Sequence, residues 1–289
     1  SDIKISHKMN SSIEFQNNTS SNEPNKEMTT RSTDNTQNSE DKHSTPNTDK
    51  DYLYRVAYVH YSNDQFNIEE SELFTNEEVT RLKGLLVNLK SEVTWNKKFV
   101  LISSNPNDYK GNDLFLELDK KALEYSWLSF KEYQVLDNRT RDNIRNILNQ
   151  VSLILLAGGD TYQQNLFFHE IDLANYLINL DCPIVWISAG AMNCSNTVLN
   201  TSEIIKNSDL PLLLEGLGLS KISIEPHFEK KRENPEIMNI LLQESYTRKI
   251  YGLRDGSYIF NNKIYGRCEV IENGEIRPIC NDNQEMPLD

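Results

Sequence analysis

Three short segments in this 289-residue chain, two of them apolar runs, each lead into a residue that could do chemistry. The run 153–157 (LILLA) is followed by Gly158-Gly159-Asp160-Thr161, and the run 183–187 (PIVWI) by Ser188-Ala189-Gly190-Ala191. A third, 221–225, leads into Pro226-His227-Phe228. A serine set between a buried strand and a helix is how a parallel sheet presents a nucleophile. Its hydroxyl is weak until a base takes the proton, and histidine is the usual base near neutral pH. A glycine turn can offer backbone N–H groups to a developing oxyanion. Each motif alone is an ordinary strand-to-helix turn, because short glycine motifs recur by chance. Together they favour a hydrolase acting at an acyl carbon.

The base has competitors. His7 and His43 lie in a polar segment; His60, His169 and His227 lie in the body. His60 falls in or at the end of a strand, and His169 sits inside a helix. His227 follows a strand end beside a proline that restricts the backbone, and strand-end polar residues are where site residues gather. A third group should orient the imidazole. Between Ser188 and His227 the carboxylates are Glu203, Asp209, Glu215 and Glu225, which the residues alone do not separate.

These residues need elements to hold them. Apolar spacing predicts helices over 75–89, 113–125, 139–149, 163–180 and 235–244. Continuous apolar runs predict strands at 55–61, 98–103, 153–157 and 183–187, with a further strand at 127–135. Alternation of this kind implies a mostly parallel sheet covered by helices on both faces, a three-layer α/β/α arrangement. Past residue 249 the pattern changes to short strands separated by Asp255-Gly256, Asn261-Asn262 and Asn273-Gly274, which are hairpin signals. In open parallel sheets ligands bind beyond the carboxyl ends of the strands. Gly158-Gly159, Ser188 and His227 are therefore expected on one sheet edge.

Composition sets limits. Residues 1–50 hold few large apolar side chains and read as a disordered polar tail. They contain no apolar core of the signal-peptide kind. Residues 51–289 read as a single α/β domain. No apolar run reaches the ~18 residues that span a bilayer. The net charge of −13 argues against nucleic acid and anionic membranes as partners. Cys182, Cys194, Cys268 and Cys280 show no C-x₂-C pair, so no metal site is expected, and the chain reads as cytoplasmic with reduced thiols.

The combined motifs resemble the peptidase E (α-aspartyl dipeptidase) and cyanophycinase group of serine peptidases. The resemblance covers roughly residues 95–275, in the order Gly158-Gly159-Asp160-Thr161, Ser188-Ala189-Gly190-Ala191, Pro226-His227-Phe228. Gly216-Leu217-Gly218-Leu219 and Gly252-Leu253-Arg254-Asp255-Gly256-Ser257 also look like the family. It implies a class I glutamine amidotransferase-like α/β fold with C-terminal β-hairpins. It implies Ser188 as nucleophile, His227 as base, Glu203 as triad acid in preference to Asp209, and Gly159 and Ala189 as oxyanion donors. Asp160, Thr161 and Arg254 are then candidates for substrate binding. Short peptides, cut at a peptide or isopeptide bond, are the implied substrates, with no cofactor; a homodimer is compatible with all of this.

One position departs from the Gly-x-Ser-x-Gly elbow: Trp186 stands where the first glycine belongs. Its ring must point away from the helix, or the elbow is reshaped. A second reading follows, a binding or regulatory protein that keeps the fold without efficient chemistry. A cysteine-dependent, amidotransferase-like enzyme would need a thiol at position 188.

Overall fold

The computed structural model describes residues 8–11, 84–85, 87–125, 128–281 and 284–288. Strand β1 is Lys8–Ser11 and β2 is Lys98–Ile102; helix α1 is Tyr109–Tyr125 and β3 is Glu132–Leu136. A short 3-10 turn leads into α2, Ile144–Leu148, then β4, Val151–Leu156. Helices α3 (Thr161–Glu170) and α4 (Leu173–Leu177) precede β5, Ile184–Ile187, and α5, Ala189–Asn193. The strands of the main sheet that carry the site, β4 and β5, are apolar apart from Ser152, because both faces are covered. Phe99, Leu101, Val185 and Ile187 face one buried layer, with Leu123 of α1. Ile102, Ile154, Leu156, Ile184 and Trp186 face the other, with Phe167 of α3 and Leu173 of α4. This is the expected three-layer α/β/α fold.

The C-terminal part builds β6 (Thr197–Leu199), α6 (Thr201–Ile204), β7 (Leu213–Glu215) and β8 (Ser223–Glu225). Then come α7 (Phe228–Arg232), α8 (Pro235–Glu244), β9 (Ile250–Leu253), β10 (Tyr258–Phe260) and β11 (Lys263–Tyr265). Three more strands follow: β12 (Cys268–Glu272), β13 (Glu275–Cys280) and β14 (Glu285–Pro287). The main sheet runs β14-β11-β10-β1-β5-β4-β2-β3. Strands β1, β5, β4, β2 and β3 are parallel, and β10, β11 and β14 add an antiparallel edge. A second sheet, β13-β12-β9-β8, stands apart from the first. The hairpin signals hold at Asn261-Asn262 and Asn273-Gly274, where both central residues have positive φ as a type I′ turn requires.

Several expectations need correction. The helix over 163–180 is two helices, because Asp172 turns left-handed (φ 54°) and breaks the ladder. The helix over 139–149 shrinks to the 3-10 turn and α2. The β6–β7 pair falls where no strand was expected; at three residues each, neither run is long enough to show a period. The strand at 55–61 and most of the helix at 75–89 lie outside the described residues. So does most of the polar tail over 1–50, but Lys8–Ser11 forms a strand between β5 and β10. Strand pairing there uses backbone groups, which a polar sequence supplies as well as an apolar one. Among the described residues no helix is long and apolar enough to cross a membrane.

Helix α5 lies tight against β4. A Cβ placed on Gly190 would sit 2.5 Å from the Leu156 carbonyl oxygen and 2.9 Å from the Leu156 Cβ. Gly190→Ala should therefore destabilise the fold by about 1–3 kcal/mol through overpacking. Urea denaturation of the purified variant measures this, and an unchanged midpoint would contradict the packing described.

Candidate active site

Ser188 sits at the turn between β5 and α5 with φ 47° and ψ −108°. That region is sparsely populated by non-glycine residues, and the strain lifts the side chain off the sheet edge. The Met192 N–H donates to the Ser188 carbonyl at 3.0 Å, locking the first turn of α5 behind it. Trp186 does not reshape this elbow. Its ring is buried in the same layer as Ala191 and Phe167, on the α5 side of the sheet rather than away from it. The close approach that the elbow needs is made by Gly190 instead.

His227 also adopts a left-handed conformation, φ 56° and ψ 38°, between β8 and α7. Its Nε2 lies 2.8 Å from Ser188 Oγ. Its Nδ1 lies 2.6 Å from Asp255 Oδ1, in the turn after β9. An ionised carboxylate only accepts, so Nδ1 carries the hydrogen and Nε2 is left to accept from the serine hydroxyl. Burial pushes the Asp255 carboxyl up, but the His227 ring, the Glu229 hydrogen bond and Lys230 outweigh it and hold Asp255 below its ordinary value. Gly252 helps set this spacing. A Cβ there would meet the Phe228 ring at 2.4 Å, so β9 and the residue after His227 approach as closely as glycine allows.

The expected triad acid, Glu203, is corrected by this arrangement. The Nδ1 position is filled by Asp255, while Glu203 on α6 pairs with Lys206 at 3.2 Å and hydrogen-bonds Asp160. Burial first, and then the Asp160 charge, push the Glu203 carboxyl up. Glu225 is buried against Lys231, with Nζ to Oε2 at 2.5 Å, and accepts from Thr201 Oγ1 at 3.3 Å. Asp209 is exposed in the segment after α6, and Glu215 belongs to β7. His169 Nε2 is taken by the Glu215 carbonyl at 2.8 Å, and His60 lies outside the described residues. Asp255 carried a signal: it lies two residues past a short strand, as His227 does. It lies beyond His227, outside the interval from which the acid was expected.

The expected cluster on one sheet edge is half right. Gly158-Gly159 and Ser188 leave β4 and β5 of the main sheet, but His227 and Asp255 leave β8 and β9 of the second. The Gly158-Gly159 turn is pinned from below: Ser104 Oγ donates to the Gly158 carbonyl at 2.5 Å, and Gln164 Nε2 to the Ala157 carbonyl at 2.7 Å. Buried amides then stitch α3 to α5. Asn193 Nδ2 donates to the Thr161 carbonyl and to Gln164 Oε1, and its Oδ1 accepts from Asn165. Such a network fixes the glycine turn relative to the serine, since each amide left alone there would be costly. Ala189 is the first residue of α5, beside Ser188.

The candidate substrate residues are engaged elsewhere. Asp160 caps α3, accepting from the Gln163 N–H at 2.8 Å. Thr161 is buried, with its hydroxyl on Met192 Sδ at 3.7 Å. Arg254 pairs with Glu269, which also accepts from Arg232 at 2.8 Å. The four cysteines are buried, and burial pushes the Cys182 thiol up to about 12. Cys194 ends α5 inside the apolar layer, so no thiol stands at the elbow. Among the described residues no group of three or more His, Cys, Asp or Glu could hold a metal ion.

A sequence model of peptidase family S51 matches residues 81–264. The chain belongs to peptidase family S51, the peptidase E family. The fold is also similar to that of solved structures. A peptidase from an acI-B1 actinobacterium superposes with TM-score 0.53 at 17% identity, covering 74% of this chain and 94% of that one. A putative peptidase E protein from Listeria monocytogenes EGD-e gives 0.48 at 18% identity, covering 68% and 93%. No curated protein matches the chain.

The geometry makes Asp255 the partner of His227, which NMR can check. The His227 Nδ1 proton should appear at low field in the wild type and in Glu203→Gln, and shift or vanish in Asp255→Asn. Retention of that resonance in Asp255→Asn would overturn the assignment.

Proposed function

We propose that this family S51 chain is a serine-type peptidase of short peptides, working through Ser188, His227 and Asp255. The observation that carries the reading is the continuous relay from Ser188 Oγ through both ring nitrogens of His227 to Asp255, at 2.8 and 2.6 Å. His227 Nε2 takes the hydroxyl proton as Ser188 Oγ attacks the scissile carbonyl carbon. The oxyanion that forms is held by the backbone N–H groups of Gly159 and Ala189. His227 returns the proton to the leaving amine, and the acyl-enzyme remains. Water then attacks it, giving its proton to His227, and the acid product leaves with Ser188 restored. Asp255 keeps the imidazole in the one tautomer that can accept from serine and stabilises its positive charge.

Ser188 is only 8% exposed, so the nucleophile is recessed. That favours short, flexible peptides over folded proteins. The competing reading, a fold without efficient chemistry, needs the serine and histidine to stay apart. Their 2.8 Å contact argues for catalysis instead.

A fluorophosphonate probe should label the folded chain at Ser188, and a panel of dipeptides and isopeptides should be turned over. Ser188→Ala should lose both while its Tm stays within ~2 °C, because alanine meets the same backbone demand and removes no packed group. Asp255→Asn should label roughly 10³–10⁴-fold more slowly by favouring the wrong tautomer. Glu203→Gln should stay within about threefold of wild type, since it does not touch the relay. No labelling and no turnover in folded wild type would sink the reading.

A further inference from the structure

The relay does not end at Asp255. Glu229 lies in the first turn of α7, two residues after His227. Both of its carboxyl oxygens lie 3.2 Å from the Asp255 backbone N–H. The two carboxyl groups are also within hydrogen-bond reach of each other. One turn thus supplies both the imidazole that Asp255 orients and a second carboxyl that grips Asp255 from behind.

We propose that Glu229 is a positioning residue for the triad: as a neutral carboxylic acid it donates its O–H to the Asp255 carboxylate while accepting the Asp255 N–H, and so holds Oδ1 on His227 Nδ1. The inference rests on Ser188, His227 and Asp255 being the reacting set. Two facing carboxylates cannot both ionise cheaply, so one proton is shared unequally between them. The surrounding charges decide where it sits. His227 and Lys230 both favour the ionised form of Asp255. Arg254, next to Asp255, is turned to Glu269 of β12, as is Arg232 of α7. Burial, and then the hydrogen bond and charge of Asp255, push the Glu229 carboxyl up to about 8. The proton therefore resides on Glu229 at neutral pH and leaves as pH rises through that value. Once ionised, Glu229 can no longer donate, and it repels the carboxylate it had been holding.

A residue that merely accepted the Asp255 N–H would do so in either protonation state. The test therefore uses Glu229→Gln, whose amide donates and accepts at every pH, beside Glu229→Ala, which does neither. The readouts are the rate of fluorophosphonate labelling at Ser188 and the His227 Nδ1 proton resonance, each from pH 6.5 to about 9.5. Wild-type labelling should fall on the alkaline side with a midpoint near the Glu229 value. Glu229→Gln should label within about threefold of wild type at pH 7 and show no such fall. Glu229→Ala should label about tenfold more slowly at pH 7, the loss expected for one hydrogen bond to a charged group. The Nδ1 resonance should shift with the same alkaline midpoint in wild type and hold constant in Glu229→Gln.

An alkaline fall in Glu229→Gln identical to wild type would overturn the proposal, as would a Glu229→Ala variant that labels at the wild-type rate. If Glu229→Ala does not fold, the comparison of wild type with Glu229→Gln decides. If wild-type Ser188 labels at no pH, the peptidase reading fails. The NMR titration still decides the Glu229 contact, because a resonance that ignores pH in wild type would overturn it.

Discussion

His227 is the point at which two sheets meet chemically. Its Nε2 reaches a serine carried by β5 of the main sheet, and its Nδ1 reaches an aspartate carried by β9 of the second. A ring a few ångströms across can satisfy both partners only if the two sheets keep a fixed separation. Much of the remaining architecture maintains that separation. Phe228, fully buried beside His227, packs where Gly252 gives it room against β9. Lys231 and Glu225 form a buried pair across the left-handed turn that carries the histidine. That pair contributes position more than stability, since desolvating two charges offsets most of their attraction.

The serine side is held by different forces. Strain at Ser188 persists because α5 is pressed onto β4 through Gly190 and hydrogen-bonded to α3 through Asn193. The same amides hold the Gly158-Gly159 turn in place relative to Ser188. Packing and buried amides therefore fix one half of the site, and an imidazole–carboxyl–carboxyl chain, His227 to Asp255 to Glu229, fixes the other. The first is indifferent to pH; the second is built from groups whose protonation sets their geometry.

How legible this was depends on range. Gly158-Gly159, Ser188 and His227 could be read because each follows a strand visible in the local sequence, and strand ends are where site residues gather, although the strand before His227 belongs to the second sheet. The short strands after residue 249 were legible from Asn261-Asn262 and Asn273-Gly274, whose turn geometry is local. Glu203 was an attractive acid only by its distance in sequence from the serine. Asp255 carried the strand-end signal, but that signal alone does not bring it to Nδ1, because which carboxylate arrives there depends on how β9 registers against β8, with Ile224 opposite Tyr251 and Glu225 opposite Gly252. Trp186 was misjudged for a related reason. Side-chain alternation gives its face relative to Val185, but not whether the layer beneath α5 has space for an indole.

The sequence by itself determined the chemistry on offer: a serine, a histidine and a glycine pair at strand ends, in an acidic chain whose three motifs mark family S51. These are short-range properties, set by the apolar pattern and by turn stereochemistry. Only the tertiary structure decided that the histidine arrives from a second sheet, that Asp255 rather than Glu203 orients it, and that Glu229 stands behind Asp255. Those contacts join residues 26 to 39 positions apart through strand pairing and side-chain packing. Many carboxylates compete for such a place in the chain, and the fold selects one.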